Sequence, residues 1–351
     1  MLQNAAHTER MREEVTGVES SRNPLTRILA IRGMGQVLTV TFGLAALCVV
    51  FWYLNPMFLG ERNLLNLSRQ IAPILLVGIS QSYVLITGNI DLSIGSVVGM
   101  STMISATLMT KGISPALAMI ATMAACLTIG LLNGVLVARC KLPPFIATLG
   151  TMTIGRGIAQ IVNGNYNTDS IGEAASYFRD IFYYAKIWGL FSPVWITIGL
   201  WLFFNFLLSH TRTGRHIYAI GSNREAARLS GVNISRTTNV AYMVSAFCAC
   251  VVGFITTATT GQGTMDAGNM YEMYAVAASV IGGVSTLGGQ GILLGTIIGA
   301  AIWGVLQNGL QFAGAPVAIR NIVIGVIVVV SVLLDVVVRS GRLNFRKNKS
   351  A

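Results

Sequence analysis

An all-α bundle of membrane-spanning helices is the fold this sequence predicts, and three observations carry that reading. Hydrophobic residues make up 53% of the 351-residue chain and charged residues only 11%, where a soluble domain carries roughly 25% charged residues. The apolar residues lie in continuous blocks of about 16 to 23, close to the ~20 a helix needs to cross ~30 Å of hydrocarbon. The 38 glycines suit membrane helices, where small residues let backbones approach closely. Backbone groups in lipid must be satisfied within a helix or a closed barrel. Continuous blocks exclude the barrel, whose strands alternate over about ten residues.

Taken in order, residues 1–33 are polar and of mixed charge, so 1–35 reads as a cytoplasmic tail and not as a cleavable signal peptide. The membrane domain runs over 36–338, with spans predicted at 36–54, 71–87, 94–110, 115–137, 145–162, 193–209, 239–260, 272–287, 290–309 and 319–338. That makes about ten spans. The block from Met273 to Leu287 is short and rich in Gly and Ser, so it reads either as a crossing or as a broken, re-entrant helix, with nine spans the competing count. Residues 339–351 form a basic cytoplasmic tail.

Loop charge tests that order. Arg22, Arg27 and Arg32 mark the N-terminal side as inside, which makes 88–93, 138–144, 210–238 and 288–289 the inside connections. Arg139 and Lys141 lie in the second of these, and Arg212, Arg215, Arg224, Arg228 and Arg236 in the third. The outside loop 163–192 sets Asp169, Glu173 and Asp180 against Arg179 and Lys186. An even number of spans with both termini cytoplasmic fits; nine would put the basic tail with Arg339, Arg342 and Arg346 outside. The net charge of +11 is thus a topology signal, and nucleic acid is not an expected partner. Cys48, Cys126, Cys140, Cys248 and Cys250 lie in or beside apolar blocks without a CxxC or a histidine pair, and read as buried free thiols with no metal site.

Four stretches are candidates for mechanism. Gly88 to Ser96 sets Asp91 between two apolar blocks, together with Asn89 and Ser93; an ionisable residue there is a functional candidate because charge in a bilayer is costly. Its structural reading is a cap on the following helix. The inside loop 210–238 holds Gly221, Asn223, Glu225, Ala226, Ala227 and Gly231. Asn223 or Ser222 can cap a short helix starting near Arg224, and Gly231 can end it in the left-handed conformation, which yields a compact helical hairpin. Such a projection suits a chain driven by a soluble motor; the plain reading is a basic loop that enforces topology. Glu272-Met273-Tyr274 leads into Gly282, Gly283, Gly288 and Gly289, paired glycines that suit either a gate or tight packing. Pro143 and Pro144 read as a helix start. The polar Gly-rich breaks at 88–95 and 282–291 occupy matching places before two spans, a hint of internal duplication.

No phosphate loop, HExxH or GxSxG elbow is present, and His7, His210 and His216 all lie in polar segments. No recognised constellation would make the chain an enzyme, so its energy must come from a gradient or a partner.

The stretches GNIDLSIGS at 88–96, PPFIATLGTM at 143–152, AIGSNREAARLSGVN at 219–233 and SVIGGVSTLGGQGILLGTIIGA at 279–300 resemble the permease family of ATP-binding-cassette importers for ribose, xylose, arabinose and galactose. The resemblance covers roughly 36–338. It implies a multi-pass permease of the bacterial inner membrane, paired with a second permease copy or paralogue and surrounded by lipid. It further implies an ABC ATPase subunit that carries ATP and Mg, and a periplasmic sugar-binding protein that delivers a monosaccharide. Glu225, Ala226 and Ala227 followed by Gly231 resemble the EAA-type loop that such permeases insert into the ATPase, and would transmit force without touching sugar. Asn89 stands where the family often has Gly. The competing reading is an ion-coupled secondary transporter that uses Asp91.

Overall fold

The computed structural model describes residues 34–339; the tails expected over 1–35 and 339–351 lie outside that range except at their inner ends. The chain is a polytopic helical bundle. Its helices are α1 Met34–Leu54, α2 Glu61–Ile86, α3 Ile94–Thr110, α4 Pro115–Ala138, α5 Pro144–Ile161, α6 Ser176–Arg179 and α7 Ser192–His210. They continue as α8 Arg212–Ser222, α9 Arg224–Leu229, α10 Ile234–Thr260, α11 Tyr271–Ile281, α12 Leu293–Phe312 and α13 Val317–Arg339. Among the described residues, six of these (α1, α2, α4, α7, α10 and α12) are long and apolar enough to cross a membrane.

Two expectations from hydropathy change. The second span was predicted to begin at 71, yet α2 starts at Glu61 and runs through Asn63, Asn66, Arg69 and Gln70. Its first ten residues are helical but too polar to register as an apolar block. The span predicted over 272–287 is an 11-residue helix ending at Ile281, about 16 Å long at 1.5 Å per residue and half of a bilayer core. Gly282 to Ile292 is non-helical, so this element is the broken form.

Helix α10 is the hub, packed on α2, α3 and α4. Small residues set those distances: a Cβ at Gly130 of α4 would fall 2.7 Å from both the Ala246 methyl and the Tyr242 carbonyl, and one at Gly253 would collide with Ser101 of α3. Without a hydrophobic drive between helices in lipid, such close packing supplies the attraction. Helix α11 lies against α2 and α12, while α1 and α13 flank α12 and α11 respectively. A second apolar cluster of Phe51, Phe58, Leu67, Ile302 and Leu306 joins α1, α2 and α12.

The loop 163–192 is built, not slack. Phe178 and Phe182 pack on Phe254 of α10, and strands β1 Lys186–Ile187 and β2 Leu190–Phe191 pair antiparallel around Trp188 and Gly189, both at positive φ, as a two-residue hairpin turn requires. Cys126, Cys248 and Cys250 are buried free thiols. Cys48 and Cys140 depart from expectation: Cys48 of α1 is only half-buried, and Cys140 is exposed just past the end of α4.

Candidate functional site

The loop from 210 to 238 folds as two helices with different roles. Thr211 caps α8 through its hydroxyl, which accepts from the Gly214 N–H at 3.3 Å, and α8 buries Gly214, Ile217 and Ile220 against the bundle. Only α9 projects. Asn223 Oδ1 accepts the Ala226 N–H at 2.9 Å, and Gly231, at φ +81, closes the helix with its N–H on the Arg228 carbonyl at 3.0 Å. The Val232 N–H reaches the Ala227 carbonyl at 3.0 Å, completing a Schellman ending. Glu225 pairs with Arg228 at 3.0 Å. Ala227 is buried and Ala226 exposed, so the alanine pair divides between seating the helix and facing outward. Leu229, at 81% exposed, is an apolar side chain on an otherwise polar tip.

Where α8 ends, the two Gly-rich breaks meet it. The Gly289 N–H donates to the Ile86 carbonyl at 2.8 Å, joining the turn before α12 to the last residue of α2. A Cβ at Gly288 would lie 2.8 Å from Gly88 Cα and 3.0 Å from the Gly221 carbonyl oxygen. A Cβ at Gly221 would collide with the Ile86 carbonyl and the Gly289 nitrogen. Tyr218 of α8 donates to the Gly291 carbonyl at 2.6 Å, and Tyr242 of α10 to the Ile90 carbonyl at 3.1 Å. Gly221, Gly288 and Gly289 are thus brought together with Gly88 in a single backbone junction. Gly282 belongs to a neighbouring contact, against the backbone of Gly295, and Gly283 turns at φ +91. Ser279 and Thr296, on either side of this contact, bond Ser82 of α2 at 3.1 and 3.0 Å.

Asp91 sits behind the first break and is 2% exposed. Its Oδ1 accepts from the Ser93 N–H at 2.8 Å and the Ser93 hydroxyl at 2.6 Å; its Oδ2 accepts from the Ser245 hydroxyl at 2.6 Å. Asn133 donates to Ser93 Oγ at 2.8 Å and accepts from Thr151 at 2.6 Å, while Ser80 reaches Ser245 at 2.8 Å. One carboxylate therefore gathers α2, α4, α5 and α10 around the start of α3. Among the described residues no cation pairs with it. Asn89 turns inward and donates to Thr87 Oγ1 at 2.7 Å.

The opposite end of the bundle carries an open cleft of about 620 Å³ between α2 and α12, with Tyr271 and Tyr274 of α11 on its wall. Its polar lining includes Asn66, Arg69, Gln70 and Gln307. Arg156, in α5, donates to the Met265 and Ala267 carbonyls at 3.2 and 2.7 Å, tethering the loop between α10 and α11.

Ser245, Asn133, Arg156 and the cleft residues were not singled out in the sequence. The signal was present for some of them: Asn63, Asn66 and Gln70 recur at three and four residues in α2, and Gln307 and Gln311 are four apart in α12, polar stripes in helices whose other residues are mostly apolar.

Residues 63–332 match the family described as branched-chain amino acid transport system / permease component. The chain is 36% identical over 304 residues to the ribose import permease protein RbsC of Bacillus subtilis, covering 86% of this chain and 94% of that one. It is 33% identical over 296 residues to the D-allose transport system permease protein AlsC of Escherichia coli, covering 84% and 90%. It is 32% identical over 270 residues to the fructose import permease protein FruG of Bifidobacterium longum, covering 75% and 79%. No solved structure matches it.

Proposed function

The chain belongs to the family described as branched-chain amino acid transport system / permease component, a transport component and not an enzyme, and from that premise we propose that it is the membrane subunit of a bacterial importer driven by a separate ABC ATPase and specific for a monosaccharide. The sugar class is taken from relatives named for ribose, D-allose and fructose. In this reading a periplasmic binding protein delivers the sugar, a second permease copy or paralogue completes the channel, and ATP with Mg stays on the ATPase. The chain lies in the inner membrane with about ten crossings, some at partial length, and both termini in the cytoplasm.

The observation that supports it most is the rigid connection from α9 to the two breaks. Helix α9 is exposed, capped at both ends and joined through Asn223 to α8, whose last residues touch Ile86 and Gly289. A push on α9 has a path of backbone contacts to the ends of α2 and α12, and packed cores respond by switching between discrete arrangements instead of deforming smoothly. In the importer cycle, closure of the ATPases moves α9, and the junction at Gly221 opens or closes the hairpin end of the helices while the far end does the opposite.

The ion-coupled alternative needs Asp91 to exchange a proton or sodium ion. Three donors within 2.8 Å already occupy its carboxylate, which favours a fixed role. The decisive experiment is uptake of D-ribose, D-allose and D-fructose into proteoliposomes holding the chain with candidate ATPase and binding-protein partners. Uptake that requires ATP and both partners supports the importer; uptake by the chain alone on an ion gradient overturns it.

A further inference from the structure

We propose that the cleft between the first half of α2 and the second half of α12 is the site that holds the permeating sugar, with Asn66, Gln70 and Gln307 reading its hydroxyls. This rests on the importer reading above.

The cleft lies at the right end of the molecule. Its α2 lining runs from Asn66 to Ile74, 12 to 20 residues before the Ile86 carbonyl at the Gly221 junction, which along a helix is about 18 to 30 Å. It lies toward the end away from α9, where in the importer reading a binding protein would deliver a solute, while the α9 end is packed backbone to backbone at Gly88, Gly288 and Gly221. A second cleft of about 550 Å³ adjoins it and shares Asn66 and Gln70.

Its chemistry fits a polyol. Each amide side chain offers two N–H donors and an acceptor, matching hydroxyls that both give and receive. Behind them, Asn63 and Asn308 form a reciprocal pair, at 2.8 and 3.1 Å, that joins α2 to α12 and holds the amide face in register. Asn308 also approaches Gln70 Oε1 at 3.5 Å. The apolar C–H face of a sugar ring needs a flat partner, and the half-buried Tyr274, backed by the buried Trp303 ring at 4.9 Å between centroids, supplies one. Trp303 is fully buried and its indole N–H has no acceptor, an unusual orphan in a helix core.

The cleft carries one positive charge, on Arg69, among otherwise neutral polar side chains. Arg69 is the charged residue on the wall of the larger cleft, and it is already engaged: its guanidinium lies 4.2 Å from the Tyr183 ring centroid and 4.1 Å from that of Phe191, and it donates to Asn66 at 3.1 Å. These contacts fix the guanidinium against the outer loop, and the other polar side chains of the cleft, Asn66, Gln70 and Gln307 among them, are neutral and hydrogen-bonding. Few strong contacts are needed there, since a solute in transit must also leave.

The test uses the full chain reconstituted with its ATPase and supplied with the binding protein, on a Cys48→Ser/Cys140→Ser background, carrying Gln307→Cys or, as a control at the exposed β-hairpin tip, Trp188→Cys. A membrane-impermeant maleimide is added outside, with and without D-ribose, D-allose or D-fructose. The expected result is that Gln307→Cys reacts, that a sugar imported by the native chain slows the reaction at least about threefold while Trp188→Cys is unaffected, and that Gln70→Leu lowers uptake of that sugar roughly three- to tenfold, the size of one neutral hydrogen bond. Labelling of Gln307→Cys that is indifferent to an imported sugar overturns the site. So does a Gln307→Cys that never reacts while Trp188→Cys does, because the cleft is then covered by lipid or a second copy. If the native chain takes up sugar on an ion gradient without the ATPase, it is the importer reading that fails, whatever the labelling shows.

Discussion

Gly289 donates its backbone N–H to the carbonyl of Ile86 at 2.8 Å, and Gly221 has no room for even a methyl group against the same two atoms. Three segments far apart in sequence therefore share one backbone contact: the end of α2, the turn before α12 and the end of the helix that leads to α9. None of the three segments can shift alone without opening that contact.

The tip of the hairpin is separable from the bundle. Glu225 and Arg228 are both well exposed, and an exposed pair contributes little to stability. Glu225→Lys is expected to leave thermal unfolding of the purified chain unchanged while abolishing sugar-stimulated ATP hydrolysis. Leu229→Asp acts on the same surface and should lower co-purification with the ATPase.

Asp91 is held as a structural carboxylate. Asp91→Asn keeps the shape but replaces one acceptor oxygen with a donor and removes the charge that strengthens three hydrogen bonds. A cost of about 1 to 3 kcal/mol follows, read as a lower Tm in detergent. The folded fraction should still import sugar on ATP. Complete loss of uptake at unchanged stability would instead favour the ion-coupled reading.

Asn63 and Asn308 are coupled across α2 and α12. Replacing either with Leu removes the reciprocal bonds and leaves the other amide only its remaining partner, the Phe58 carbonyl for Asn63 and Gln70 for Asn308, whereas replacing both removes the demand. A double-mutant cycle by denaturant unfolding should show a coupling of roughly 0.6 to 2 kcal/mol, the range for hydrogen bonds between membrane helices. Additive effects would mean the pair is not formed.

Burial pushes the Tyr218 hydroxyl up from 10.0 to about 12. A folded value raised above the unfolded one means the neutral hydroxyl is favoured in the native state. Its contribution is fully present below pH 10 and is lost as pH rises from about 10 to 12. Tyr218→Phe should lose the bond to Gly291 at every pH below that window, and should show a smaller fall in Tm across it than the native chain.

What was legible in the sequence follows from how local each signal is. The caps at Asn223 and Gly231 and the break at Asp91 are set by residues a few positions apart, and they fold as such signals dictate. The partners of Asp91 were not legible, because Ser245 and Asn133 are small polar residues in apolar helices and nothing in their neighbourhoods says which helix they face. The first turns of α2 were missed for a related reason. Arg62, Asn63, Asn66 and Arg69 lower the hydropathy of a segment that is helical nonetheless, and among them Asn66 and Arg69 line the cleft. The shortened α11 reflects Gly282 and Gly283, whose close contact with Gly295 and positive φ respectively end the helix before an apolar run has ended.

The most direct measurement is ATP-dependent sugar uptake by Gly221→Val in proteoliposomes, alongside co-purification of the variant with the ATPase. The added side chain is placed against the Ile86 carbonyl and the Gly289 nitrogen and leaves α9 untouched. Retained ATPase association with uptake reduced by at least about tenfold, a loss of ~1.4 kcal/mol or more in transition-state terms, is the expected result. Uptake within about twofold of the native chain would contradict a force path through this junction.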